Sequence, residues 1–113
     1  MHELSLMEAV RELALEQAAL HGARRIAAIR LRVGSLAGVE MEALRFAHEV
    51  VMADTIAAGS RLEIEAVAAE GFCSACRQPF PAHDGCCDCP LCGRISQELR
   101  RGRELQLASL ELD

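Results

Sequence analysis

The sequence predicts an α+β protein: a small mixed three-stranded sheet with two helices, plus an inserted four-Cys zinc-ribbon module. Three observations carry this. Two stretches repeat apolar residues at helical spacing, three others alternate with period two, and residues 70–102 hold all six Cys and all three Pro with little apolar matter beyond two Phe.

The first helix is expected along Leu6, Val10, Leu13, Gln17 and Leu20, with Arg11, Glu12 and Glu16 elsewhere on the wheel, a Ser5-x-x-Glu8 capping box at its start and Gly22 at its end. Ile29, Leu31 and Val33 then alternate with Arg30 and Arg32, the pattern of a strand with one wet face. Residues 34–38 read as a turn. A second helix fits Met41 to about Ala53, with Leu44, Ala47, Val50 and Val51 on its buried stripe and His48 on its wet side.

Gly59-Ser60 breaks the chain before a second strand through Leu62, Ile64 and Ala66. The last strand carries Leu105 and Leu107 in one phase and Leu110 and Leu112 in the other, so a bulge is expected at Ala108-Ser109. A strand-helix-strand unit makes a parallel pair, and the final strand returns beside it. The domain division is 1–69 with 103–113 for the α/β part and 70–102 for the zinc-binding part.

Composition limits the function. A chain of 113 residues, 51% hydrophobic, suits one compact core with a small appended module. Its net charge of -5 disfavours a life on phosphate backbones or anionic membranes, so neither nucleic acid nor membrane is an expected partner. All twelve basic residues are Arg, which removes lysine chemistry, and Trp and Tyr are absent. The opening MHELSLMEAVRELALEQ is too charged for a secretory or membrane-spanning segment, so the expected location is the cytoplasm. Six Cys in a cytosolic chain point to metal before disulfides.

Cys73-x-x-Cys76 and Cys89-x-x-Cys92 are two knuckles whose backbone amides point at the thiolates while the pairs close a tetrahedron of sulfur. Four thiolates leave no open coordination position, so the zinc they hold is structural and replaces the missing apolar core. Cys86 and Cys87 are surplus: Cys86-x-x-Cys89 would also make a knuckle, the two read as unpaired thiols near the zinc or as a second soft-metal or redox pair, and His83 shares their loop.

His2 has a separate chemistry. The amine of Met1, the amide of His2 and its imidazole can chelate one metal in fused rings, a nitrogen donor set that suits Ni(II) or Cu(II), and Glu3 adds a carboxylate. A His at this position is also ordinarily a frayed surface group. His21, expected at a helix C-terminus, and His48 have weaker claims.

Met1-His2-Glu3-Leu4-Ser5, the Arg-Val-Gly-Ser run at 32–35, Val39-Glu40, the paired knuckles, Gly102-Arg-Glu-Leu and Leu110-Glu111 resemble, in order along the whole chain, the HypA/HybF family of hydrogenase maturation proteins. The resemblance implies a nickel chaperone without catalytic turnover. It would work with a GTPase accessory protein to load Ni(II) into the large subunit of [NiFe]-hydrogenase, as a monomer or weak homodimer. By that resemblance His2 matches the essential nickel ligand, Glu3 the adjacent contributor and Glu40 an acidic position that is Asp in some members, which makes 1–69 and 103–113 the nickel-binding domain. Cys73, Cys76, Cys89 and Cys92 match the Zn(II) ligands. The pair Cys86-Cys87 departs from the family pattern.

Two other readings compete. A zinc-ribbon nucleic-acid-binding regulatory protein has only Arg77, Arg94, Arg100, Arg101 and Arg103 against Asp84, Asp88 and Glu98 over 71–103, with Phe72 and Phe80 to stack. A metal-dependent enzyme needs an open metal position and a poised acid or base, and the sequence shows neither.

Overall fold

A computed structural model describes residues 2–82, 88–96 and 98–113. The chain divides into two compact units, Met1–Leu31 with Val39–Glu65 and Leu107–Asp113, and Arg32–Gly38 with Ala66–Gln106. The described elements run α1 (His2–Leu20), β1 (Ile26–Gly34), α2 (Met41–Met52), β2 (Arg61–Val67), β3 (Glu70–Cys73), β4 (Gln78–Pro81), β5 (Glu98–Arg101) and β6 (Leu105–Leu112). None of the helices is long and apolar enough to cross a membrane.

Helix α1 is rich in Leu, Ala and Glu, the residues that lose least on entering a helix. It begins at His2, so Ser5 lies inside the first turns and is not the expected cap. Its buried row is Met7, Val10, Ala14 and Ala18, whereas Leu13 is 50% and Leu20 72% exposed. Two rows at helical spacing competed for the core. The leucine row contains Gln17, whose amide would need partners inside; the row that won ends in alanines small enough for close packing. The helix stops as expected at Gly22, which has φ 63°, and Ala23 N–H reaches back to Ala18 O at 2.9 Å while Gly22 N–H reaches Ala19 O at 3.2 Å.

Helix α2 buries Leu44, Ala47, His48, Val51 and Met52. Val50, expected on that stripe, is 52% exposed, and His48, expected in water, is 6% exposed with its Nε2 2.9 Å from Ser60 Oγ. The stripe is therefore rotated, and a hydroxyl partner makes burial of the imidazole affordable. Desolvation holds His48 below its ordinary pKa of 6.5, against the attraction of Glu49 and with the repulsion of Arg45. The two helices lie side by side in the same sense: the first turn of α1 meets the start of α2 through Glu3 and Glu40, and Arg11 Nη1 donates to Val51 O at 3.5 Å.

The first sheet has the order β2-β1-β6. Central β1 is the most deeply placed strand, with Ile26, Ile29, Leu31 and Val33 all at 2% exposure or less. Arg30 pairs with Glu63 at 3.0 Å and, further along both strands in the same direction, Ser35 N–H donates to Val67 O, so β1 and β2 run parallel. Gly34 bonds Glu104 at one end of β1 and Arg25 bonds Asp113 at the other, which sets β6 antiparallel. The sheet is mixed. Along β6 both Ala108 and Ser109 are exposed between the half-buried pairs Leu105, Leu107 and Leu110, Leu112.

The second sheet, β4-β3-β5, is antiparallel throughout, with Gly71 opposite Phe80 and Leu99. Its core is small: Phe80, Cys73 and Cys89, with Cys76 packed against them. The segment Arg32–Gly38 belongs to this unit because Leu36 N–H bonds Gly102 O, Ala69 N–H bonds Ser35 Oγ, and a Cβ on Gly34 would come within 2.2 Å of the Gly102 backbone. Only glycine allows that approach.

Candidate metal centre

Strand β3 ends on Cys73 and the chain turns through Cys76 before β4 leaves from Gln78. Cys76 N–H points at Cys73 Sγ, 3.4 Å away, the amide-to-sulfur contact the knuckle spacing requires. Arg77 closes this turn with φ 55°, a left-handed backbone that a side chain occupies at a cost. The second knuckle uses Gly93, φ 74°, for the same purpose, tied by Gly93 N–H to Cys89 O at 2.8 Å and Cys89 N–H to Arg94 O at 2.9 Å. An isolated bridge between Asp88 and Ile95 flanks it.

These turns bring the four sulfurs of Cys73, Cys76, Cys89 and Cys92 within 4.8 Å of one another. The Cys73–Cys92 separation is 3.6 Å and the Cys76–Cys89 separation 3.9 Å. A tetrahedron with metal–sulfur bonds of about 2.3 Å has edges of about 3.8 Å, so the spacing fits one ion held by four thiolates. Cys73 and Cys89 are buried and Cys92 is exposed. The thiols perturb one another: hydrogen bonds to Cys92 and Cys73 push Cys76 up to about 12, while the main-chain N–H of Cys92, aided by that of Leu91, brings Cys89 down to about 7. A central cation relieves this crowding, since it favours the thiolate at every position.

Two arginines of this unit are engaged with the protein itself. Arg100 stacks over the Phe72 ring at 3.7 Å and meets Glu98 at 3.4 Å, and Arg101 pairs with Glu70 at 3.4 Å. Such contacts favour a packed ribbon over a phosphate-binding face. Cys86, Cys87 and His83 lie outside the described residues.

The other group of candidate ligands belongs wholly to the first unit. His2 is exposed and opens α1. Glu3 Oε2 accepts from Glu40 N–H at 3.2 Å, and that bond, followed by one from its own main-chain N–H, holds the Glu3 carboxyl below the usual range. Glu40 is the N-cap of α2: its Oε1 accepts from Glu42 N–H at 3.0 Å. Two carboxylates from positions far apart in sequence thus bond main-chain amides at the start of α2, and Glu3 follows the exposed His2 in the chain; the side chains of His2, Glu3 and Glu40 do not form a ligand cluster of the kind the four cysteines form. Met1 lies outside the described residues. His21 is used at the end of α1, where its Nδ1 is 2.8 Å from Gln17 O, and His48 is buried against Ser60.

Two helices, two small three-stranded sheets and four cysteines clustered for a metal ion define the class: a small protein with a four-cysteine metal site. The chain belongs to the HypA family, whose model, described as hydrogenase/urease nickel incorporation, metallochaperone, matches residues 1–112. That is a family of metallochaperones and not of enzymes. Relatives named hydrogenase maturation factor HypA include one from Methylocella silvestris, 40% identical over 113 residues and covering 100% of both chains, and one from a Synechococcus, 47% identical over 112 residues and covering 99% of both. Among solved structures, a solution structure of HypA protein aligns with a TM-score of 0.71 and 25% identity over 99% of this chain and 96% of that one. The solution structure of the Ni metallochaperone HypA from Helicobacter pylori shares the fold, with a TM-score of 0.69 at 23% identity over 97% of this chain and 96% of that one.

Proposed function

We propose that this member of the family binds Ni(II) as cargo at its N-terminus through His2, with Glu3, Glu40 and Met1 as further donors, and passes it to the large subunit of [NiFe]-hydrogenase in the cytoplasm. A GTPase accessory protein is the partner in that step, and Zn(II) is the resident ion of Cys73, Cys76, Cys89 and Cys92. The nickel-binding domain is then residues 1–69 with 103–113 and the zinc-binding domain residues 70–102.

The observation that carries the nickel reading is the convergence at the start of α2. Glu3 and Glu40 each place one carboxylate oxygen on an amide at that helix terminus, and Glu3 directly follows the exposed His2. Imidazole, amide and carboxylate donors at an exposed position suit an ion that must leave again. Four mutually close, partly buried sulfurs suit one that must stay, and thiolates select zinc among the common divalent ions. With a d10 ion in a closed thiolate shell, zinc would hold the ribbon together and supply no chemistry to transfer.

Metal analysis of the untagged protein before and after nickel titration tests both sites. One tight zinc and one exchangeable nickel are expected, and His2→Ala loses the nickel while retaining zinc and helix content. A His2→Ala protein that still binds one nickel with unchanged affinity refutes the N-terminal site.

A further inference from the structure

Each thiolate of a four-sulfur metal site is a ligand and also a reductant, and exposure decides which of them an oxidant reaches first. Here the four are not equal. Cys73 and Cys89 are buried, Cys76 is intermediate, and Cys92 alone is exposed. The chain around it, residues 90–95, is exposed throughout, with Leu91 at 70% and Ile95 at 77%. The sulfur 3.6 Å from Cys92 Sγ is that of Cys73, which belongs to the other knuckle and lies 19 positions back in the chain. Cys76 and Cys89, 3.9 Å apart, form a second pair that also spans the two knuckles.

We propose that Cys92 and Cys73 are a peroxide-responsive thiol pair, a modification site that releases the metal while joining the two knuckles. The Cys92 thiolate attacks one oxygen of hydrogen peroxide; the O–O bond breaks, hydroxide leaves, and Cys92 becomes a sulfenic acid. The Cys73 thiolate, 3.6 Å away, then attacks the Cys92 sulfur; the S–O bond breaks and a second hydroxide leaves as the disulfide forms. The two sulfurs give up one electron each, one peroxide takes both, and solvent protonates the two hydroxides. On the reading that Zn(II) occupies the four cysteines, on which this proposal rests, the ion loses two of its four donors in one event, because a disulfide sulfur is no longer a thiolate.

The oxidised ribbon keeps a staple. Its knuckles are shaped by the chain itself: Arg77 and Gly93 hold left-handed backbones, Cys89 N–H bonds Arg94 O at 2.9 Å, and Gly93 N–H bonds Cys89 O at 2.8 Å. The core of the unit is only Phe80, Cys73 and Cys89 with Cys76 packed against them, so what the fold needs from the metal is a crosslink between knuckles. A Cys73–Cys92 disulfide ties the end of β3 to the second knuckle, as the metal does. A disulfide inside either C-x-x-C would leave the knuckles unlinked. Thiol reductants restore both thiolates and with them the site, so the step is reversible.

The test treats the untagged, zinc-loaded full chain with hydrogen peroxide beside a chromogenic zinc chelator and maps disulfides by peptide mass spectrometry. Expected are zinc release in step with peroxide consumed, Cys73–Cys92 as the first disulfide, and recovery of zinc binding when reductant and zinc are returned. The metal-free oxidised chain should resist protease within 66–106 better than the metal-free reduced chain. Cys92→His replaces the exposed thiolate by an imidazole, keeps four donors, and should slow zinc release about tenfold or more. The double variant Cys86→Ser with Cys87→Ser should release zinc as the wild type does. A chain that holds no zinc before treatment refutes the zinc reading and this proposal with it. A zinc-loaded chain whose zinc survives peroxide, whose first disulfide lies within a knuckle or includes Cys86 or Cys87, or whose Cys92→His variant releases zinc at the wild-type rate overturns the thiol pair alone.

Discussion

Glu3, in the first turn of α1, accepts a hydrogen bond from the main-chain N–H of Glu40, 37 positions along the chain, at 3.2 Å. Glu40 in turn caps α2 through Glu42 N–H at 3.0 Å, so one residue serves both the helix and the proposed nickel site. Its two roles are separable by substitution. Glu40→Ala removes both and should lower stability by about 1 kcal/mol along with nickel affinity. Glu40→Asn retains a capping oxygen without the charge; it should restore the melting temperature but not the affinity. Calorimetric titration and thermal unfolding on the two variants read the difference.

Acid should release nickel through the imidazole and not through Glu3. Metal binding requires the neutral ring, whereas the Glu40 N–H keeps the Glu3 carboxylate ionised below the usual range. Nickel affinity should be lower in mildly acidic than in mildly basic buffer, and Glu3→Gln should lower it in both.

His48 makes fold stability pH-dependent from inside the core. Its folded pKa lies below the ordinary 6.5 because burial penalises the cation, so the unfolded chain takes the proton first. The contribution is full above pH 6.5 and is lost as pH falls below it. Thermal unfolding between pH 7.5 and 5 should show a steeper acid decline for the wild type than for His48→Phe. Ser60→Ala, which strips the ring of its partner, should cost about 1 kcal/mol at neutral pH.

Removing one thiolate should dismantle the second unit selectively. Cys76→Ser or Cys92→Ser breaks a set of four sulfurs that stands in place of an apolar core of which Phe80 is the main carbon component. Expected outcomes are loss of stoichiometric zinc and protease cleavage within 66–106, with the circular dichroism of the two helices largely kept.

Arg77 offers a gain. It holds the left-handed position that Gly93 holds in the other knuckle, and Arg77→Gly should relieve about 1 kcal/mol of backbone strain. Resistance of bound metal to a chelator should rise.

Much of this molecule is written locally. The C-x-x-C spacing determines which sulfurs can converge, because a knuckle is a four-residue turn whose amides must face its own thiolate, and Cys76 N–H faces Cys73 Sγ as that requires. Gly22 ends α1 because a left-handed residue is needed there, and the alternation of Ile29, Leu31 and Val33 makes β1 a buried strand whatever its neighbours are. The tertiary structure decided what local pattern leaves degenerate. Two rows of α1 had helical spacing, and the choice of Met7, Val10, Ala14 and Ala18 over the leucines depended on what α2 and the sheet could accommodate. His48 went inside because Ser60, twelve residues on, supplies a partner that no helical wheel displays. Glu3 and Glu40 meet only because α1 and α2 lie side by side in the same sense, a relation that comes from packing two apolar faces on one sheet and appears in neither segment alone.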